Sequence, residues 1–475
     1  MFDNSLFQQL VGKGGSTGEV VGSDRFLVSV KGLDGVAINA LVLFESGERG
    51  IVSEVGEEIV LVLNLESETT PLGSLAVLYD NVFTTPVGEG LVGRVVTPLC
   101  QPLDGKGPIT HTDNWPVYKQ APGMMERQLL SDRLPTGVTV VDQLFPVVLG
   151  QRIAVLGDTK SGKTTFLMQL GINQTNSDRI VVYVLIGKRR VEIDQLLNAL
   201  NESGAINNSI VIVANIFDSL AQSYLAPYIG CAISEYLWQS VGRDVVIIYD
   251  DLSAHAKVYR EVALLSGGNP GRDSYPGDMF FAHSSLLERA GRLASNGKTL
   301  TALPVIITPG DDITAFLPTS IMSITDGQII FDLENFRRNI RPAVNAGLSV
   351  SRVGGRAQTP RQKKISGALF KRLADYRQAA EFAHFGSDLA AESKAAILLG
   401  EQIIDAMRQT PAELFTVTEQ ELVMETVLAT AGQHQLNVGL LKMKAKEAAL
   451  AITTDEQVDP AVQQLLAMSA MEAKK

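Results

Sequence analysis

Residues Ile153-Ala154-Val155-Leu156-Gly157-Asp158-Thr159-Lys160-Ser161-Gly162-Lys163-Thr164-Thr165 join an apolar run to a G-x-x-x-x-G-K-T loop and to the start of a helical stretch near Lys163–Leu170. The glycines let successive backbone N–H groups turn inward around phosphate oxygens, and the helix N-terminus adds positive potential. Gly157, Asp158, Thr159, Lys160, Ser161, Gly162, Lys163, Thr164 and Thr165 therefore read as a phosphate cradle, with Lys163 reaching the β- and γ-phosphates of a nucleotide. The Thr164 hydroxyl is placed to ligate Mg²⁺, which prefers octahedral oxygen coordination. ATP or ADP with Mg²⁺ is the expected ligand.

Working outward, apolar strands are expected at Gln151–Leu156, Ile180–Ile186, Ile210–Ala214, Val245–Tyr249, Thr301–Ile307 and Gln328–Phe331. Helical stretches near Val191–Glu202, Leu220–Gln239, Ala256–Leu265 and Ala282–Asn296 alternate with them. A run such as Val245-Val246-Ile247-Ile248-Tyr249 has no polar face, as a parallel strand covered on both sides requires. Asp250 ends that run and reads as the Walker B carboxylate, a second metal ligand. An acid after an apolar strand is a weak signal alone; the loop upstream makes it a strong one.

Toward the N-terminus the pattern changes to short β-rich stretches at Gly18–Val21, Arg25–Val30, Ile38–Phe44, Gly50–Val55, Glu58–Leu65 and Leu75–Tyr79, separated by Gly, Asp, Ser and Glu clusters. Such spacing suggests a small closed barrel, since closure removes exposed strand edges. After about residue 360 Ala, Leu, Glu, Lys and Gln dominate at helical spacing, as in Ala368–Phe382, Ala391–Arg408, Glu419–Ala431 and Leu436–Ala451. The expected architecture is multidomain: a β-barrel over residues 1–82, a central α/β P-loop domain over 83–358 and a C-terminal α-helical bundle over 359–475.

Composition narrows the function classes. At roughly 100–200 residues per domain, a chain of 475 residues has length for two to four domains. Its 45% hydrophobic and 20% charged content is that of a folded protein. With 41 Lys+Arg against 52 Asp+Glu, a net charge of −11, it lacks the basic footprint of a nucleic-acid binder. Cys100 and Cys231 are too few for a disulfide framework or a zinc site and read as buried structural thiols. No run approaches the roughly 18 apolar residues of a membrane span, and Met1-Phe2-Asp3-Asn4 begins neither a signal nor a transit peptide. A cytosolic protein, or one on a membrane only through partners, is expected.

Several segments resemble the alpha subunit of F-type ATP synthases. They are Tyr249-Asp250-Asp251-Leu252-Ser253, Pro270-Gly271-Arg272-Asp273-Ser274-Tyr275-Pro276-Gly277-Asp278, His283-Ser284-Ser285-Leu286-Leu287-Glu288-Arg289, Ser323-Ile324-Thr325-Asp326-Gly327-Gln328, Ile340-Arg341-Pro342-Ala343-Val344-Asn345 and Leu348-Ser349-Val350-Ser351-Arg352-Val353-Gly354-Gly355. Gly90–Val96, Pro102–Pro108 and Phe385-Gly386-Ser387-Asp388-Leu389 extend the likeness into both flanking regions. The Asp-Asp-Leu-Ser and Pro-Gly-Arg-Asp segments look like alpha rather than the catalytic beta subunit.

The resemblance implies that the central α/β P-loop domain is RecA-like, between the β-barrel and the helical C-terminal domain, and that the protein is a non-catalytic, nucleotide-binding subunit that alternates with beta subunits in a hexameric ring around a gamma stalk. It further implies a peripheral stalk (b, and delta where present), H⁺ or Na⁺ transport, and a peripheral place on the cytoplasmic side of a bacterial inner membrane. In the family the Ser351-Arg352 segment carries an arginine finger that reaches the neighbouring beta site, so Arg352 and Ser351 are the expected catalytic residues. Gln409 is a candidate adenine contact from the helical domain.

The sequence departs from the family at several positions. Where the catalytic subunit has a water-orienting Glu, this sequence has Gly187-Lys188-Arg189, and a charged lysine cannot accept a proton. The usual alpha residue there is Gln. Lys160 also stands where the family has Gln, Thr159 where it has Arg, and Arg356 where it has a small residue. Lys160 and Lys188 either add positive charge beside the phosphates, tightening nucleotide binding or displacing Mg²⁺, or point into solvent. Glu192 leaves a base at the site open. The barrel begins by about Thr17, whereas family alpha subunits carry a longer arm that docks delta; a complex joined differently to its stator, or lacking delta, is expected. The alternative functions are a self-sufficient hexameric secretion or export ATPase, which Lys188 opposes, and a nucleotide-holding scaffold, which Arg352 opposes.

Overall fold

The computed structural model describes residues 5–384 and 390–471; the Phe385–Leu389 segment of the resemblance lies outside them. The protein packs into two compact units, one comprising Met1–Gln128, Ser177–Ile306 and Thr314–Ile324, the other Leu129–Asn176, Ile307–Ile313 and Thr325–Lys475.

The first unit opens with helix Ser5–Gly12 and then the strands β1 (Thr17–Asp24), β2 (Leu27–Gly32), β3 (Leu41–Phe44), β4 (Arg49–Val55), β5 (Ile59–Asn64) and β6 (Leu75–Asp80). They close into the expected barrel in the order β1-β2-β5-β4-β3-β6. Val20, Val28, Val30, Val42, Phe44, Val52, Val60 and Val62 fill it. Inward residues alternate along each strand as a barrel wall demands. Two glycines make room where walls approach: a Cβ at Gly50 would lie 2.5 Å from Val62 Cγ1, and one at Gly18 2.6 Å from Val30 Cγ1. The strand expected from Ile38 starts only at Leu41, because Asn39 adopts φ 66° and breaks the extended backbone.

The same unit holds parallel strands in the order Thr299–Ile307, Val245–Asp250, Ile180–Lys188, Ser209–Asn215 and Val95–Val96. Val245 to Tyr249 are each at most 1% exposed, as their unbroken apolar run requires. The helix expected over Ala282–Asn296 is Met279–Leu287. Beyond it the Arg289 guanidinium turns inward onto Glu235, 2.9 and 2.6 Å away, and Gly291–Arg292 pairs antiparallel with the strand at Thr299. Cys231 is buried, which pushes its thiol up to about 12, and Cys100 is raised for the same reason.

In the second unit Ala154–Gly157 runs parallel to Gly327–Phe331, and Val350–Ser351 joins the latter antiparallel. The C-terminal helices are Pro360–His384, Ala391–Met407, Val417–Ala429, Val438–Ala449 and Val458–Ser469. The first two cross closely at Gly400, where a Cβ would meet Tyr376 Cβ at 2.3 Å. Among the described residues no helix is long and apolar enough to cross a membrane. Gly400→Ala should lower the thermal unfolding midpoint: overpacking, typically about 1–3 kcal/mol, outweighs the roughly 1 kcal/mol helix-propensity gain. A midpoint unchanged or raised by circular dichroism would contradict this packing.

Candidate nucleotide site

The phosphate loop lies in the second unit, between strand Ala154–Gly157 and helix Lys163–Ile172. Gly157 has φ 153°, and a Cβ there would sit 2.7 Å from the Phe331 carbonyl oxygen and 2.8 Å from Ser161 Oγ. Gly162 adopts φ 104° immediately before the helix. Both positions need glycine, and together they hold the cradle open at a helix N-terminus whose first N–H groups lack helical acceptors. Lys163 is buried, its Nζ donating to the carbonyls of Gly157 and Asp158 at 2.7 Å each. This fixes its charge inside the loop. Thr164 and Lys160 are exposed, Lys160 at φ 61°.

Asp158 closes the loop from the side. Its carboxylate accepts from Thr159 N at 2.6 Å and Gly310 N at 2.7 Å. Burial opposes its ionisation, yet these donors hold its carboxyl below the usual range. Behind the loop, Phe166 packs on Phe331 with ring centroids 5.7 Å apart.

Beside the loop is a pocket of about 260 Å³ lined by Ser161, Gly162, Thr165, Phe166, Gln409 and Pro411, among others. Gln409 is thus brought to the cradle, but its amide is already engaged. Oε1 accepts from Thr139 N at 2.6 Å, and Nε2 donates to Gly137 O at 2.9 Å and Glu413 O at 3.1 Å. It pins the helix Thr139–Leu144 and offers a ligand packing surface rather than a free hydrogen-bonding edge. Gln420, which the sequence reading passed over, supports the same segment by donating to Asp142 Oδ2 at 2.9 Å.

Arg352 follows the short strand Val350–Ser351. Its backbone N–H donates to Asp326 O at 3.0 Å and its guanidinium to Thr325 O at 3.1 Å, while the side chain is exposed. The supporting turn is held by Arg152, whose Nη2 lies 2.9 Å from Asp326 Oδ1. At Gly327 a Cβ would meet Val350 O at 2.4 Å, so glycine is what lets the two strands approach there. Ser351 differs from its expected catalytic part: its hydroxyl donates inward to Pro146 O at 3.0 Å and lies 3.3 Å from the Gln151 amide nitrogen. It positions the strand that carries Arg352. Nothing in the structure explains Arg356.

In the first unit, Lys188 and Asp250 end adjacent parallel strands paired with Leu185 opposite Asp250. Gly187, at φ 63°, breaks the strand's regular pairing just before Lys188. Lys188 Nζ reaches Asp250 Oδ1 at 2.7 Å and Asp251 Oδ2 at 3.2 Å, with the three side chains 15, 9 and 5% exposed. Burial opposes the ammonium, but both carboxylates outweigh it and raise its proton affinity above that of an ordinary lysine. Asp251 is pushed up by burial and by Asp250, against the pull of Lys188. Its other oxygen caps helix Leu252–Leu265 by accepting from Ala254 N at 2.7 Å.

Of the two readings for the extra lysines, solvent exposure describes Lys160 and not Lys188. Asp250 is likewise not the open carboxylate that a Walker B metal ligand requires. A dication brought to it would face the ammonium at ~5 Å with a repulsion of about 7 kcal/mol at an effective dielectric of about 20. The donors at Asp250 do not fit Mg²⁺, whereas the exposed Thr164 hydroxyl could still take part in its coordination. Among the described residues no group of three or more His, Cys, Asp and Glu side chains is arranged as a metal site. Glu192 is also committed, its carboxylate accepting from Arg189 N at 3.1 Å at the start of helix Arg190–Glu202.

Gln409→Leu should leave the buried Thr139 N–H unsatisfied, while Gly137 O keeps the Phe415 N–H, and cost about 1–3 kcal/mol of stability. A denaturation midpoint equal to that of the native protein would show that the amide is not needed there.

Comparison with known proteins gives a consistent assignment. Residues 137–351 match the nucleotide-binding domain of the ATP synthase alpha/beta family, and residues 358–474 match the C-terminal domain of that family's alpha/beta subunits. The sequence is 40% identical over 414 residues to ATP synthase subunit alpha of Caldanaerobacter subterraneus subsp. tengcongensis, an alignment spanning 86% of this protein and 82% of that one. It is 41% identical over 406 residues to the Aquifex aeolicus subunit alpha (85% and 80% covered) and 42% over 425 residues to that of Anaplasma phagocytophilum (87% and 84%). With both domain models matched and identity near these values along most of its length, the protein belongs to the ATP synthase alpha/beta family, as a subunit of the F-type alpha kind.

Proposed function

We propose that this subunit binds ATP or ADP at its own phosphate loop without turning it over, and completes the catalytic site of a neighbouring beta-type subunit through Arg352. The observation that carries the first half is Lys188, which stands where a hydrolytic site needs a water-orienting carboxylate and is held charged by Asp250 and Asp251. Glu192, the remaining candidate base, is engaged as a helix cap. The self-sufficient export motor needs a base at this position, so the same residues oppose it.

The second half is supported by the exposed guanidinium of Arg352 on a turn made rigid by Gly327, Asp326 and Arg152. A permanent charge in a fixed fork suits stabilisation of phosphoryl oxygens as charge develops on them. Within this subunit's own site, Lys163 and the loop N–H groups bind and orient the phosphates, Gly157 keeps the cradle open, and Thr165, Phe166 and Gln409 line the pocket for the base. Mg²⁺, when it accompanies the nucleotide, supplies charge neutralisation at the phosphates near Thr164. The partners are a beta subunit in an alternating ring, a central gamma stalk and a peripheral stalk. The ring would sit peripherally on the cytoplasmic side of a bacterial inner membrane, coupled to H⁺ or Na⁺ transport.

The isolated subunit should retain nucleotide and hydrolyse ATP at background rate, and mixing with its beta partner should restore turnover. Robust hydrolysis by the subunit alone would overturn the non-catalytic reading. In the mixed complex Arg352→Ala should reduce turnover by at least about 10³-fold, the lower end for trans arginines, while ring assembly by gel filtration is unchanged. Ser351→Ala should cost far less, and equal losses from the two changes would assign Ser351 a direct part.

A further inference from the structure

Within the second unit a further cavity of about 270 Å³ lies next to the pocket beside the phosphate loop. The two share Arg341 and Pro342, which form the wall between them, and none of the loop residues Gly157 to Thr165 lines the larger cavity. Its floor is apolar: Leu144 from helix Thr139–Leu144, Leu373 from helix Pro360–His384 and Met407 from helix Ala391–Met407 are each at most 6% exposed. Its rim is basic, with Arg338, Arg341, Arg377 and Arg408 in a chain whose net charge is −11.

Two of these guanidinia have fixed seats. Arg341 lies over the Phe336 ring, 4.5 Å from its centroid, and Arg377 Nη1 occupies the space over Gly347, where an added Cβ would come within 2.9 Å of it. Arg408 is neutralised by Asp405, 2.6 Å away, but among the described residues Arg338, Arg341 and Arg377 have no carboxylate partner. The acids of the cavity wall do not supply one. Asp332 caps helix Leu333–Arg337, accepting from Glu334 N at 2.6 Å, and accepts from Asn345 Nδ2 at 2.8 Å, so Glu334 is the one free acid set against three guanidinia. An apolar hollow with a few polar groups at its edge is the general form of a small-molecule site, and the arginine fork matches the oxygens of a carboxylate or phosphate.

We infer that this cavity binds a small organic anion, a carboxylate or phosphate ester joined to an apolar body, at a site distinct from the nucleotide pocket. Arg338 and Arg377 hold the anionic group, Arg341 adds charge from the shared wall, and Leu144, Leu373 and Met407 take the apolar body. Like charges gathered without counter-ions repel one another, and a bound anion relieves that repulsion.

The test is isothermal titration calorimetry of the full-length subunit with naphthyl phosphate as the probe, in millimolar Mg-ATP so that nucleotide already fills the loop-side pocket. The probe should bind saturably, at least about tenfold more tightly than naphthol, which lacks the anion, or inorganic phosphate, which lacks the apolar body. The double variant Arg338→Gln, Arg377→Gln should weaken the probe by about tenfold or more while ATP affinity changes by less than about threefold. Both side chains are exposed and line only the larger of the two pockets, so the variant removes charge without opening the core. Absence of saturable probe binding, or an affinity that the double variant leaves unchanged, would overturn the inference. Equal affinity for either control would overturn the ligand class, and displacement of the probe by rising ATP would place it in the nucleotide pocket instead. Failure of the native protein to bind ATP would overturn the proposed nucleotide binding, while the comparison with the double variant would still decide for or against the anion site.

Discussion

The strand Gly327–Phe331 is the constraint on which the second unit's functional geometry depends. Its carboxyl end presses against the phosphate loop, where Phe331 leaves space at Gly157 for nothing beyond hydrogen and stacks its ring on Phe166 in the following helix. Its amino end accepts Val350–Ser351 so closely that only glycine fits at position 327. The cradle and the turn bearing Arg352 are therefore mounted on one short, buried element. A strand transmits position well because its hydrogen bonds fix register, and a one-residue slip would invert every side chain on it.

Around this element, polar side chains act as braces more than as reagents. Gln409 ties residue 139 to the segment after the last residue of helix Ala391–Met407, Ser351 ties its strand to Pro146, and Arg152 ties Asp326 to the strand that feeds the loop. Each bond is at least partly buried, where an unmade partner costs more than a made one gains. That asymmetry keeps a cradle and an exposed arginine in fixed positions. In the first unit the same principle governs Lys188, Asp250 and Asp251: two buried carboxylates are tolerated because a third buried group carries the opposite charge.

Much of this was legible in the sequence. The strands on either side of the loop, the unbroken run Val245–Tyr249 and the barrel stretches all declare themselves by period and by flanking turn residues, since those signals are local. Reading failed where a distant partner intervened. Asn39 took a left-handed turn inside an apolar stretch, and Arg289 left the helical pattern to meet Glu235, which is far away in sequence. The last helix, Val458–Ser469, went unread although its apolar spacing is regular.

The sequence by itself determined the phosphate loop, the class of ligand, the three kinds of folding region and the presence of a lysine where a base would be needed, because glycine, lysine and periodic apolar residues carry their meaning in local chemistry. Only the tertiary structure decided what that lysine does. Whether a long, flexible ammonium lies in solvent, beside phosphates or against carboxylates depends on which strand ends are neighbours, and parallel pairing of Ile180–Lys188 with Val245–Asp250 put two acids within its reach. The same holds for Ser351 and Gln409, whose hydroxyl and amide were free on paper and were taken by backbone groups remote in sequence.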